Sequence, residues 1–220
     1  HFYFKGYGVN INYSKAIQYY ELSSYFNNSL SHFVLGDIYS NSEIIESDFD
    51  KAIKYFEKSI NIQTGLITTK YFDGSTLTVY KTNNHRYISY NDIGLIYFIE
   101  KNEIEKGIDN IKESAFAEYP FGQNNFGLIN EFYLNKKENA EYMYQRSSKH
   151  NFALAEFNLG RMLESENKNK DSIKYFIQAS EHENEPLEYR GITRVDKRLT
   201  ISKKFIICLT NLKLFIHFYS

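Results

Sequence analysis

Bulky and small residues recur along this chain with a helical period. A small residue, a bulky pair three and four positions on, and a second small residue at the seventh position form a repeated motif. The copies are Ala16, Tyr19-Tyr20, Ser23; Ala52, Tyr55-Phe56, Ser59; Ala140, Met143-Tyr144, Ser147; and Ser172, Tyr175-Phe176, Ala179. Gly107, Asn110-Ile111 and Ser114 make a weaker copy with one of the bulky pair replaced. On an α-helix these positions share one face. Each copy therefore predicts a helix whose small residues admit a close neighbour while the bulky pair fills the flanking grooves.

A second apolar element precedes every copy but the first. It reads Val34-Leu35-Gly36-Asp37-Ile38-Tyr39, Asp92-Ile93-Gly94-Leu95-Ile96-Tyr97, Asn125-Phe126-Gly127-Leu128-Ile129-Asn130 and Asn158-Leu159-Gly160-Arg161-Met162-Leu163. Glycine inside a helix costs roughly 1 kcal/mol relative to alanine, so its recurrence implies a compensating close contact. Gly94, Gly127 and Gly160 are spaced by 33 residues, whereas Ala16 and Ala52 lie 36 apart. Asn135 followed by Glu138 reads as a capping box before the Ala140 helix. Asp48, Asp50 and Asp171 place carboxylates at other helix starts, where they complement the exposed N–H groups. Each unit is thus helix A, carrying the glycine, then a turn, then helix B, carrying the small–bulky–small face.

These residues resemble the tetratricopeptide repeat and its relative, the Sel-one-like repeat. The family's Leu-Gly-x-x-Tyr stands here as Leu35-Gly36-Asp37-Ile38-Tyr39. Its helix-B signature stands as Lys15-Ala16 through Ser23 and Lys51-Ala52 through Ser59. Tyr3-Phe4-Lys5-Gly6-Tyr7-Gly8-Val9 is similar to the Gly-rich turn of the Sel-one-like type. The resemblance covers about residues 1 to 185. It implies an all-α fold, a right-handed α-solenoid of about five antiparallel helix pairs with the first truncated, and more sequence before His1. It also implies that helix A lines a concave groove in which a peptide or protein segment lies. The positions facing that groove in related proteins are Phe33, Asn91, Asn124 and Phe157; Val34, Asp92, Asn125 and Asn158; and Asp37, Leu95, Leu128 and Arg161. From these, Phe33, Asp37, Asn91, Asn124, Asn125, Phe157, Asn158 and Arg161 are the candidate binding residues. Arg161 is their one cation, which argues against capture of a C-terminal carboxylate, and a groove of Phe33, Leu95, Leu128 and Phe157 would instead suit an apolar or helical ligand.

Two segments depart from the repeat. Gly36 and Gly94 are 58 residues apart, and the excess lies in residues 63–86, where Asp73-Gly74 separates two runs rich in β-branched and aromatic residues. That pattern predicts a β-hairpin inserted between the second and third units. After Glu185-Pro186 the motif is lost, and residues 186–220 are expected to form atypical capping helices, chiefly Ser202 to Tyr219.

Composition narrows the function. The 220 residues carry a net charge of -1, which gives no global attraction to nucleic acid, and no basic face interleaved with aromatics recurs between units. Arg190 to Lys213 holds seven basic residues against Asp196, a basic end that offers an acidic partner or lipid headgroups a weak foothold. Cys208 is the sole cysteine, which excludes an internal disulfide and fits a reducing, cytoplasmic setting. No stretch is long and apolar enough for a transmembrane helix or reads as a signal peptide. The six histidines lack metal-ligand spacing, and neither a phosphate-cradling loop nor a nucleophile–base pair stands out. The expectation is a non-catalytic scaffold or adaptor without cofactor that binds a protein or peptide. The alternative is a regulatory repeat region of a larger enzyme, such as a protein kinase.

Overall fold

The computed structural model describes residues 2–41, 44–62, 65–70, 76–81 and 85–182, with backbone alone for 65–70 and 76–81. The chain divides into two compact units, one ending at Ile96 and the other starting at Tyr97.

The first unit holds α1 (Phe2–Lys5), α2 (Tyr13–Tyr25), α3 (Ser29–Tyr39), α4 (Phe49–Asn61) and α5 (Arg86–Leu95). Side-chain oxygens begin three of these helices. Asn12 accepts from the Lys15 N–H at 2.9 Å, Asn28 from Leu30 and Ser31, and Asp48 from Lys51. Helices α2 and α3, α3 and α4, and α4 and α5 pack in succession. Between α4 and α5 run two antiparallel strands, β1 (Gly65–Lys70) and β2 (Thr76–Lys81), with Gly65 opposite Lys81 and Lys70 opposite Thr76. Asp73 and Gly74 lie outside the described residues.

The second unit holds α6 (Ile104–Phe116), α7 (Pro120–Leu128), α8 (Lys137–Ser148), α9 (Ala153–Ser165) and α10 (Asn169–His182), each packed against the next. Helices α5 and α7 both run on into π-helical stretches, Ile96–Glu100 and Ile129–Tyr133, which begin two residues after the helix-A glycine in each case. The expected capping helices of 186–220 lie outside the described residues.

Every turn from helix A to helix B closes with one backbone bond. The N–H of the residue four before the first small position of helix B donates to the helix-A carbonyl three residues past the glycine position. The pairs are Asn12 to Tyr3, Asp48 to Tyr39, Glu103 to Tyr97, Lys136 to Asn130 and Lys168 to Leu163, all between 2.7 and 2.9 Å. The bond survives although the intervening loops differ in length. In the shorter turns a left-handed residue comes immediately before the donor: Asn102, Asn135 and Asn167 have φ of 54°, 54° and 61°. Asparagine tolerates this conformation better than other side chains, so it ends one helix and aims the next. The capping box expected at Asn135 and Glu138 is therefore corrected. Asn135 is the left-handed turn residue, and Lys136 is the N-cap, without a side-chain cap bond.

Gly36, Gly127 and Gly160 make the approach inferred for them. A Cβ on Gly36 would lie 2.6 Å from the Phe56 ring, on Gly127 2.5 Å from Tyr144, and on Gly160 2.7 Å from Phe176. Phe56 and Tyr144 are fully buried and cannot yield without opening the pair. Gly127→Ala is accordingly expected to lower stability by about 1–3 kcal/mol in chemical denaturation, although alanine is the better helix former.

His32 generates a pH prediction. It is buried on α3 beside Tyr55, and its Nδ1 has no partner among the described residues. Burial, and secondarily the Lys58 charge, hold its pKa below the ordinary 6.5. The unfolded chain then binds this proton more readily, so the contribution is intact above pH 6.5 and is lost as pH falls through the depressed value. Denaturation midpoints measured from pH 8 to pH 5 are expected to decline less steeply in His32→Phe than in the parent.

Candidate functional site

Helix A of each pair places the expected groove residues, and most of them point inward. In the first unit Phe33 is fully buried, its ring 5.9 Å from Phe56 and stacked 5.2 Å from His85. Asn91 is buried as well, and its amide donates to Asp92 at 3.1 Å. Asp37 is half-exposed. In the second unit Asn124, Asn125 and Asn158 are buried, and the Asn158 amide donates to Asn124 Oδ1 at 2.9 Å. That bond runs from α9 to α7, the helices A of successive pairs. Leu95 and Leu128 are buried, whereas Phe157 is 50% exposed with its ring 5.5 Å from Phe176.

Arg161 is engaged. Its guanidinium forms a bidentate pair with Glu131 at 2.8 and 2.6 Å and lies 4.9 Å above the Phe132 ring. Glu131 also accepts from the buried Tyr144 hydroxyl at 2.9 Å. Burial works against the Arg161 charge, but the Glu131 hydrogen bonds and charge outweigh it and raise its pKa. Burial, and then the Glu131 charge, hold the Tyr144 phenol well above its ordinary value. This cluster joins helices of neighbouring pairs and commits the Arg161 charge to Glu131.

A periodic surface that the sequence motifs had not singled out appears in the first unit. Tyr3 stacks on Tyr19 at 5.6 Å and 4°, with the Lys15 ammonium 5.2 Å from the Tyr3 ring. Thirty-six residues on, Tyr39 stacks on Tyr55 at 5.6 Å and 7°, with Lys51 3.9 Å from the Tyr39 ring. Lys51 donates to the Tyr39 hydroxyl at 2.6 Å, and Glu21 lies 3.4 Å from that hydroxyl and 3.5 Å from the Tyr55 hydroxyl. The Tyr39 hydrogen bond raises the Lys51 pKa. Burial, and then the Glu21 charge, raise that of Tyr55. Both stacks are partly open to solvent. The second unit keeps one ring and the cation, Lys106 at 5.3 Å from Tyr97, and loses the stack because Asn110 replaces the second tyrosine. The signal was available: both tyrosines and the lysine repeat at a 36-residue period. Nothing in the spacing, however, shows that residues on two different helices stack.

His182 Nδ1 lies 2.8 and 2.9 Å from the carboxylate oxygens of the buried Glu156. Among the described residues no group of three or more His, Cys, Asp or Glu could hold a metal ion, and no helix is long and apolar enough to cross a membrane.

The repeat geometry can now be compared with known proteins. The family model for the Sel1 repeat matches residues 1–25, 29–61 and 153–184. Those three stretches match the Sel1 repeat. The matched stretches take in both tyrosine stacks and the α9–α10 pair. Among solved structures, the chain is similar to c5321, a protective antigen of uropathogenic Escherichia coli strains displaying an SLR fold. The TM-score is 0.62 at 21% identity, covering 84% of this chain and 37% of that one. It is also similar to a Sel1 repeat protein from Oxalobacter formigenes, with TM-score 0.60 at 15% identity, covering 82% and 70%. At these identities the likeness concerns the fold. Comparison with curated proteins yields no match.

If the buried polar contacts join successive helix pairs, removing one partner strands the other. Asn158→Ala, which leaves Asn124 without its donor, is expected to cost about 1–3 kcal/mol of stability in urea denaturation. Glu131→Ala, which strands both Arg161 and the Tyr144 hydroxyl, is expected to cost at least as much.

Proposed function

We propose that this Sel1-repeat chain is a non-catalytic scaffold that binds a protein or peptide segment across its helix pairs. The observation that carries this reading is the recurrence of the Tyr–Tyr–Lys arrangement at Tyr3, Tyr19, Lys15 and again at Tyr39, Tyr55, Lys51. Half-exposed tyrosines held rigid by stacking lose little entropy when a partner covers them, and tyrosine is among the residues that dominate interface energies. Repetition at a fixed interval offers an extended partner the same contact twice. Among the expected groove residues, Asp37 and Phe157 are the accessible contributors. Phe33, Asn91, Asn124, Asn125 and Asn158 then support the helices from behind, and Arg161 orders Glu131.

The β1–β2 segment adds an arm to this surface in the same proposal. Site-specific photo-crosslinking tests both parts. A benzophenone side chain replacing Tyr19 or Phe157 is expected to give discrete protein adducts in an extract of the native cell, whereas the same group at Tyr142, exposed on α8, is expected to give none. Adducts that are absent at all three positions, or identical at all three, would remove the scaffold reading. Deleting residues 66–82 is expected to weaken the adducts while leaving helical content unchanged. Undiminished adducts would confine the proposal to the helices.

A further inference from the structure

The outward positions at the end of helix B carry large apolar side chains in the first pair. Leu22 on α2 is 60% exposed, Tyr25 is 83% exposed, and Phe26, the residue that caps the helix, is 74% exposed. At the Leu22 position α4, α6, α8 and α10 carry Lys58, Glu113, Arg146 and Gln178; at the Tyr25 position they carry Asn61, Phe116, Lys149 and Glu181. Those residues are fully or partly exposed in pairs that have a full-length helix A, so the outward aim belongs to the repeat. Among the described B helices, α2 alone is apolar at both positions and at the cap.

The start of α3, held against α2 by the Ser31–Ser23 hydrogen bond of 2.7 Å, adds Leu30. Leu30 is 40% exposed, whereas Ile88 and Phe121, which also stand six residues before the glycine of their helices A, are buried. The patch is rigid. The Tyr25 and Phe26 rings meet edge to face at 5.6 Å and 89°. Asn27 holds the turn in the left-handed region with φ of 52°, and Asn28 caps α3 by accepting from the Leu30 and Ser31 N–H groups. Covering the patch therefore costs little in lost chain freedom.

Exposure at this level in four side chains of this size leaves roughly 500 Å² of apolar surface open, at the upper end of what a monomeric protein shows. Covering it on both members of a two-fold pair removes about 1,000 Å² from water, the least that a specific interface buries. A two-fold axis sets the patch against its own copy, so a charged patch would repel itself. Leu22, Tyr25, Phe26, Asn27, Asn28 and Leu30 carry no charge. A lipid surface is a poorer match, because α2 and α3 hold a single Lys or Arg, Lys15, against Glu21 and Asp37.

We propose that this patch joins two copies of the chain in an isologous dimer, the end of α2 and the start of α3 of one copy lying on the same elements of the other. The contact uses none of Tyr3, Tyr19, Tyr39 or Tyr55, so it stands whether or not the tyrosine stacks bind a partner. Sedimentation velocity of the 220-residue chain is expected to show a monomer–dimer equilibrium, with a dissociation constant on the order of micromolar for so small an interface. The double variant Leu22→Glu, Phe26→Glu is expected to weaken association about 100-fold or more. Far-UV circular dichroism is expected to stay unchanged, because both side chains face solvent. Tyr25→Lys, a milder change at the most exposed of the four, is expected to weaken association about ten-fold or more and keeps the test open if the double variant misfolds. Tyr142→Glu, on the exposed side of α8, is expected to leave it unchanged. A chain still monomeric at about 500 µM overturns the proposal and leaves the patch to a different protein. So does a dimer that these variants retain, or association that continues beyond the dimer.

Discussion

A ring edge resting where a side chain is missing governs the spacing of this molecule. Phe56 lies on Gly36, Tyr144 on Gly127 and Phe176 on Gly160, each so close that a methyl group would collide. The glycine disfavours its own helix, and the burial of a whole aromatic ring offsets that cost several times over. Because contact forms only when the two helices of a pair approach at this point, it selects one register between them. The backbone bond from the start of helix B to the helix-A carbonyl past the glycine then sets where the turn must end. Loop length is thereby decoupled from helix placement. Units with a long turn and units with a short one present equivalent faces.

Between pairs the chemistry is polar to an unusual degree for a helical core. Serines face small residues, Asn158 bonds Asn124, and Glu131 gathers Arg161 and the Tyr144 hydroxyl. Such contacts add modestly to stability when satisfied and cost heavily when broken. They favour one alignment of successive pairs over slipped alternatives that apolar surfaces alone would tolerate. The π-helical stretches at Ile96–Glu100 and Ile129–Tyr133 belong to the same repeat logic, since they recur at one register 33 residues apart. Both fall in the part of the chain that the Sel1 family model leaves unmatched.

The first-unit tyrosine stacks show how one repeat can serve packing and recognition together. Tyr20 and Phe56 turn into the pair, whereas the adjacent Tyr19 and Tyr55 turn out and stack on Tyr3 and Tyr39. The bulky pair of the motif thus has two destinations. One member holds the helices together, and the other is the partly exposed surface on which the scaffold proposal rests.

Periodicity in the sequence was enough to establish paired helices, their order and the close contacts at Gly36, Gly127 and Gly160. Those features depend on which residues share a helical face, and face membership follows from spacing alone. Spacing could not say which way helix A turns once packed. Phe33, Asn91, Asn124, Asn125 and Asn158 read as groove residues and lie buried, and Arg161 is held by Glu131 thirty positions away. Asn135 carried the look of a cap and is a left-handed turn. Direction, burial and partnership of a side chain arise from contacts between helices distant in sequence, and only the folded arrangement brings those residues within reach.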